Sequence, residues 1–300
     1  MAQTAGETAA SHATNTEIRL DSRELDEIPA DAFLRNGDAV TLFSAYRNNL
    51  TQLPPALWQL TELQTLNVAD NRLEHIADGL GRLQKLRMLD LGHNRLNVVP
   101  PALGRLAPLS GFLYLSDNRF TELPESLGNL TQLMYLNVSD NQLAALPSRL
   151  GDMAGLRELR LYRNRLAALP DSIGRLVQLR ELHAQKNRLP ALPQSIGELG
   201  NLRELDLEDN LLTALPGTIG DLAQLRRLNL RNNRLAALPA SIGNLTQLTH
   251  LDLRANPLSA LPASIATLPG LEKLDLRWCP LAESPTWLES LRDRGCTVYR

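Results

Sequence analysis

The chain has 300 residues, a net charge of −2 and 21% charged residues, so no bulk electrostatic field draws it to nucleic acid or anionic lipid. Arg19 is its first basic residue, and no apolar run reaches ten residues, which argues against a secretory leader or a membrane-spanning helix and makes the cytoplasm the expected compartment. Cys279 and Cys296 are the only cysteines, too few for a disulfide framework or a structural zinc site, so both are read as free thiols with no cofactor or metal expected.

Residues 1–16, MAQTAGETAASHATNT, hold no large apolar side chain beyond the initiator Met and are expected to form a loose tail. Residues 17–284 follow one pattern. Asparagines after an apolar-x-apolar-x-x stretch fall at Asn48, Asn71, Asn94, Asn118, Asn141, Asn164, Asn187, Asn210, Asn233 and Asn256. Every step between them is 23 residues except a single step of 24. Around each lies L-x-x-L-x-L-x-x-N-x-L-x-x-L, as in Leu156, Leu159, Leu161, Asn164, Leu166 and Leu169. Arg23 takes the asparagine slot in a first turn and Cys279 in a last one, which makes about twelve turns.

Alternation such as Leu159 and Leu161 inward against Glu158 and Arg160 outward predicts a short strand in each turn, stacked into a parallel sheet. Strands ~4.8 Å apart make a rod roughly 50 to 55 Å long. No turn can bury its leucines alone, so stability is a sum of neighbour terms. Where the chain leaves the strand, an inward asparagine can donate to and accept from backbone groups that have lost their ladder partners. Cys279 can do this only in part. After the second leucine pair, proline starts a short helical or 3₁₀ segment on the convex side, and Ser and Gly are expected to help turn it back. Residues 285–300 offer Trp287, Leu288, Leu291, Val298 and Tyr299 for an amphipathic helix and a closing strand, a C-terminal cap with Cys296 packed inside.

The asparagine-bearing 23-residue unit resembles the leucine-rich-repeat family over about residues 17–284. Its trailing L-P-x-S-I-G-x-L, as in Leu169 to Leu176 and Leu238 to Leu245, is most similar to the Ras-group intracellular repeats and their bacterial relatives. The resemblance implies an α/β fold: a right-handed, curved solenoid with a parallel sheet on its concave face and helical or 3₁₀ segments on its convex face. It also implies a non-enzymatic scaffold in signal transduction that binds a protein or peptide on the concave face; with nucleic acid and membrane already set aside on charge and hydropathy, a monomer is the expected state and a dimer the alternative. The Ser/Thr/Ala-rich start resembles leaders of bacterial type III secreted effectors, which implies a second reading: an adaptor or decoy delivered into a host cell.

Packing fixes the inward positions, so a binding message belongs in the outward ones. Tyr46, Tyr114, Tyr135 and Tyr162 are read there, with Phe112, Met88 and Leu42 in the same half of the rod. Two readings stand: a contact strip for a partner, or rings that suit strands and stabilise one another. The 24-residue step places Ser110, Gly111 and Phe112 between Leu109 and Leu113, either a bulge that re-aims side chains near a working site or a neutral insertion. Farther along, Glu204 should face Arg227, and Glu208 should face Arg231. Arg231, Arg254 and Arg277 form a column flanked by Trp278, with Asp252 and Asp275 nearby, which could receive an acidic ligand or be paired internally. Phosphate-loop, dinucleotide, zinc-protease and nucleophile-elbow motifs are absent from the sequence. His183, beside Glu158, Glu181 and Arg160, is the one acid/base-like group on the concave surface, and an open sheet does not desolvate it. Neither cysteine has a motif-spaced histidine to activate it.

Overall fold

A computed structural model describes residues 16–33, 39–282 and 285–300. The expected tail, and with it the secretion-leader reading, lies outside the described residues apart from Thr16, as does the 283–284 boundary. Three-residue strands recur at Glu17–Arg19 (β1), Leu42–Ser44 (β2), Thr65–Asn67 (β3), Met88–Asp90 (β4), Phe112–Tyr114 (β5), Tyr135–Asn137 (β6) and Glu158–Arg160 (β7). They continue through Glu181–His183 (β8), Glu204–Asp206 (β9), Arg227–Asn229 (β10), His250–Asp252 (β11), Lys273–Asp275 (β12) and Thr297–Tyr299 (β13). All thirteen run parallel in one sheet, in chain order. This is the curved solenoid expected from the 23-residue stride: twelve repeating strands, with β13 closing onto β12 and an α-helix, Trp287–Asp293 (α1), packed beside it. Among the described residues no helix is long and apolar enough to cross a membrane.

The central residue of each strand points inward and stacks on its counterpart, as Leu136, Leu159, Leu182 and Leu205 do in register, all fully buried. Fully burying a leucine is worth about 1.5–3 kcal/mol, and one continuous row of them runs the length of the rod. On the convex side the turns after β2 through β11 each carry a five-residue 3₁₀ segment, entered from an extended proline in most of them, as at Pro170 before Asp171–Arg175; the first turn's, Ala30–Phe33, has four residues.

The glycines of these segments do not turn the chain. The only positive-φ glycine among the described residues is Gly295. Most of those at the fourth position are needed because the next turn's backbone passes against them: a Cβ on Gly174 would stand 2.6 Å from the Ser195 carbonyl oxygen, and one on Gly243 2.6 Å from that of Ser264.

The bend off each strand rests on the asparagines. Asn164 accepts the Leu143 N–H through Oδ1 at 3.0 Å, and its Nδ2 donates to the Val138 and Leu161 carbonyls, each at 3.0 Å. Asn187 repeats the pattern on Leu166, Leu161 and Ala184. Each carbonyl is thus shared by two successive amides. Cys279 donates Sγ–H to the Leu253 carbonyl at 3.1 Å, but a thiol offers no comparable acceptor, and the Leu258 N–H finds none among the described residues. The residue just before each slot is left-handed, with φ between 52° and 62° from Arg47 through Trp278, and none of them is glycine.

The extra residue of the 24-residue step is absorbed ahead of the strand. Gly111 donates to the Arg87 carbonyl at 2.9 Å and Met88 still pairs with Phe112. Ser110 is spliced in before the ladder starts, so the following side chains keep their aim instead of being redirected.

Candidate functional site

Two outward columns line the concave face. The first residues of the strands stack Met88, Phe112, Tyr135, Glu158, Glu181, Glu204 and Arg227; the third residues stack Asp90, Tyr114, Asn137, Arg160, His183, Asp206 and Asn229. Because the register brings Phe112 beside Tyr135 and puts Tyr114 one pleat above, their rings meet. Centroids lie 5.5 Å apart for Phe112–Tyr135, 5.0 Å for Tyr114–Tyr135 and 6.1 Å for Phe112–Tyr114, within the range of favourable aromatic pairing. The Arg160 guanidinium stands 5.6 Å from the Tyr135 ring centre and is anchored to Glu158 by Nε–Oε1 at 2.6 Å.

Outward does not mean accessible for every ring. Phe112 is 45% exposed, whereas Tyr135 retains 8% of its surface, walled in by Phe112, Tyr114 and Arg160. Burial, opposed by Arg160, pushes the Tyr135 hydroxyl up to about 12, and burial with the nearby Asp90 raises Tyr114. Tyr46 and Tyr162 lie two residues beyond the ends of β2 and β7. They nevertheless share with Tyr114, Tyr135, Asp90 and Arg160 an open groove of about 860 Å³. Asp90 accepts the Gly92 N–H at 2.9 Å, and burial raises its carboxyl above the usual range; its sequence neighbours gave no sign of this role. Met88 and Phe112 are register partners in the first column and do not line this groove.

The arginine column is internally paired. Arg231 meets Glu208 at 3.3 Å, Arg254 lies 2.9 Å from Asp252 and 3.5 Å from Asp275, and Arg277 lies 2.7 Å from Asp275. Burial drives the Asp275 carboxyl upward, yet hydrogen bonds from Arg277 and the charge of Arg254 outweigh it and hold the group below the ordinary range. Arg277 also lies 5.6 Å from the ring centre of the exposed Trp278 and 5.1 Å from that of Tyr299. The expected Glu204–Arg227 contact is present at 3.8 Å. His183 touches Glu181 at 3.3 Å. Burial raises the thiols of both Cys279 and Cys296, which keeps them protonated, opposite to what a nucleophile needs.

A family model described as "Leucine-rich repeat region" matches residues 43–172 and 216–293, and one described as "Leucine rich repeat" matches 177–235. No curated protein matches significantly. Among solved structures, a leucine-rich-repeat protein of Leptospira interrogans is 28% identical with a TM-score of 0.69, over 92% of this chain and 82% of that one. A plant peptide hormone receptor, RGFR1, in complex with RGF2 is 26% identical with a TM-score of 0.67, over 88% of this chain. The chain spans about half of that receptor, 51%. An internalin of Listeria monocytogenes, 20% identical with a TM-score of 0.70 over 95% of this chain and 86% of its own, shares the fold.

Proposed function

The chain belongs to the leucine-rich repeat family, and from that premise we infer that it is a non-catalytic scaffold that seats a protein or peptide partner on its concave face. The observation that carries this reading is the Phe112–Tyr114–Tyr135 cluster, which concentrates rings on one stretch of the concave face in a chain only 4% aromatic. Aromatic side chains give large contact area for little entropic cost and dominate interface cores. A receptor of similar fold is seen with a peptide hormone, in line with a peptide-sized occupant. Burial raises the Cys279 and Cys296 thiols and leaves neither a ready nucleophile, in line with a non-catalytic role.

Site-specific photo-crosslinking tests the reading. A crosslinker replacing Phe112 should trap a discrete partner in native lysate, and one replacing the exposed Val177, outside the sheet face, should not. Substituting Phe112→Ala and Tyr114→Ala together should weaken that partner by about 2 kcal/mol or more, roughly thirtyfold, with circular dichroism unchanged. A partner trapped only through Val177, or bound equally by the double variant, overturns it.

A further inference from the structure

We propose that Glu158, Glu181 and His183 bind one divalent transition-metal ion, of the zinc class, on the concave face between β7 and β8. The ladder builds the site. Glu158 and Glu181 are register partners in the first column, and His183 stands two residues after Glu181, on the same side of the pleat. One ligand atom from each of the three lies within 4.8 Å of the others. Zinc takes imidazole nitrogen and carboxylate oxygen at about 2.0–2.2 Å in a tetrahedron, which sets neighbouring donors roughly 3.4 Å apart. Side-chain rotation alone covers that difference, with no change in the strands. Arg160 occupies one oxygen of Glu158 at 2.6 Å and leaves the carboxylate's other oxygen for the ion. Such an outer hydrogen bond orients a ligand.

Charge balance is the independent argument. Glu158, Glu181 and Glu204 stand on three successive strands, one spacing apart, a like-charge row that costs energy without counter-charge. Arg160 serves Glu158, and Arg227 reaches Glu204 only at 3.8 Å. Among the described residues Glu181 has no ion-pair partner except His183 at 3.3 Å. Asp206 adds a further carboxyl opposite His183. A dication supplies the missing charge, and the imidazole selects a transition metal over magnesium or calcium, which take oxygen. The fourth position stays open to water or to a donor from whatever lies on the face.

Calorimetric titration of ZnCl2 into the full chain, stripped of metal by chelator, should show one saturable site. His183→Asn places in β8 the residue that β6 and β10 already carry there, Asn137 and Asn229, so the ladder is expected to fold. It should weaken zinc at least tenfold. Glu181→Gln should do the same, and His93→Asn, at the separate His93–Asp117 pair, should leave affinity unchanged. A hundredfold excess of MgCl2 should not displace the zinc. No saturable binding, full affinity in both His183→Asn and Glu181→Gln, loss in His93→Asn, or displacement by magnesium would each overturn the site.

Discussion

Replacing Asn164 with alanine removes one amide from the middle of the row that lines the bend, and the structure says which groups lose a partner. The Val138 carbonyl keeps the amide of Asn141 at 3.1 Å, and the Leu161 carbonyl keeps that of Asn187 at 3.0 Å. Among the described residues the Leu143 N–H has no second acceptor: its residue is fully buried, and Asn164 Oδ1 is the oxygen it meets. An orphaned buried donor costs about 1–3 kcal/mol, and losing the two shared bonds adds about 1 kcal/mol, for a total of about 2–4 kcal/mol. The solvent-facing Asn201, which donates only to the Val177 carbonyl, provides the comparison: Asn201→Ala should cost less than about 1 kcal/mol. Urea unfolding followed by far-UV circular dichroism reads both. A destabilisation by Asn164→Ala within about 0.5 kcal/mol of zero, or no larger than that of Asn201→Ala, would refute the view that this row supports the bend.

Cys279→Asn should stabilise the last turn by about 1 kcal/mol, since an amide oxygen there would accept the Leu258 N–H that the thiol leaves alone; thermal unfolding checks the sign. Gly174→Ala should destabilise by about 1–3 kcal/mol, the usual cost of overpacking, because the new methyl meets the Ser195 backbone, and no gain in helix propensity offsets it. Tyrosine absorbance near 295 nm should show one hydroxyl ionising near pH 12, removed by Tyr135→Phe. Because the folded state holds that proton while an unfolded tyrosine has lost it above about pH 10, stability should fall across pH 10–12 in the wild type and less steeply in the variant. A single titration of all tyrosines near pH 10 would contradict it.

Much of this architecture is readable from the spacing of residue types. The stride placed the strands, the inward leucines and the asparagines, because in a stacked rod equivalence along the chain is equivalence in space. Several features stayed hidden for one reason: a period says which positions correspond, and nothing about how closely successive turns approach. The glycine of S-I-G-x-L reads as a turn residue, yet its neighbour's carbonyl is what excludes a side chain there. Tyr135 reads as an outward ring like Phe112, but three neighbours cover it. Ser110 reads as a candidate bulge, and the ladder restores itself one residue later. The left-handed residue before each asparagine slot had no compositional signal, for it is filled by Arg47, Asp70, Ala255 or, ahead of Cys279, Trp278 alike.

The shared carbonyls also bear on how such a rod can change over evolutionary time. Every amide reaches one turn back and every acceptor serves one turn forward, so the internal wiring is identical at each junction. Duplicating or deleting one full period therefore rejoins like with like and creates no orphaned group, whereas a cut of another size must be absorbed ahead of a strand, as the extra residue at Ser110 is. Length becomes a quantity that recombination can tune in whole steps, with the two ends left as the sole places where the wiring must be terminated by other means.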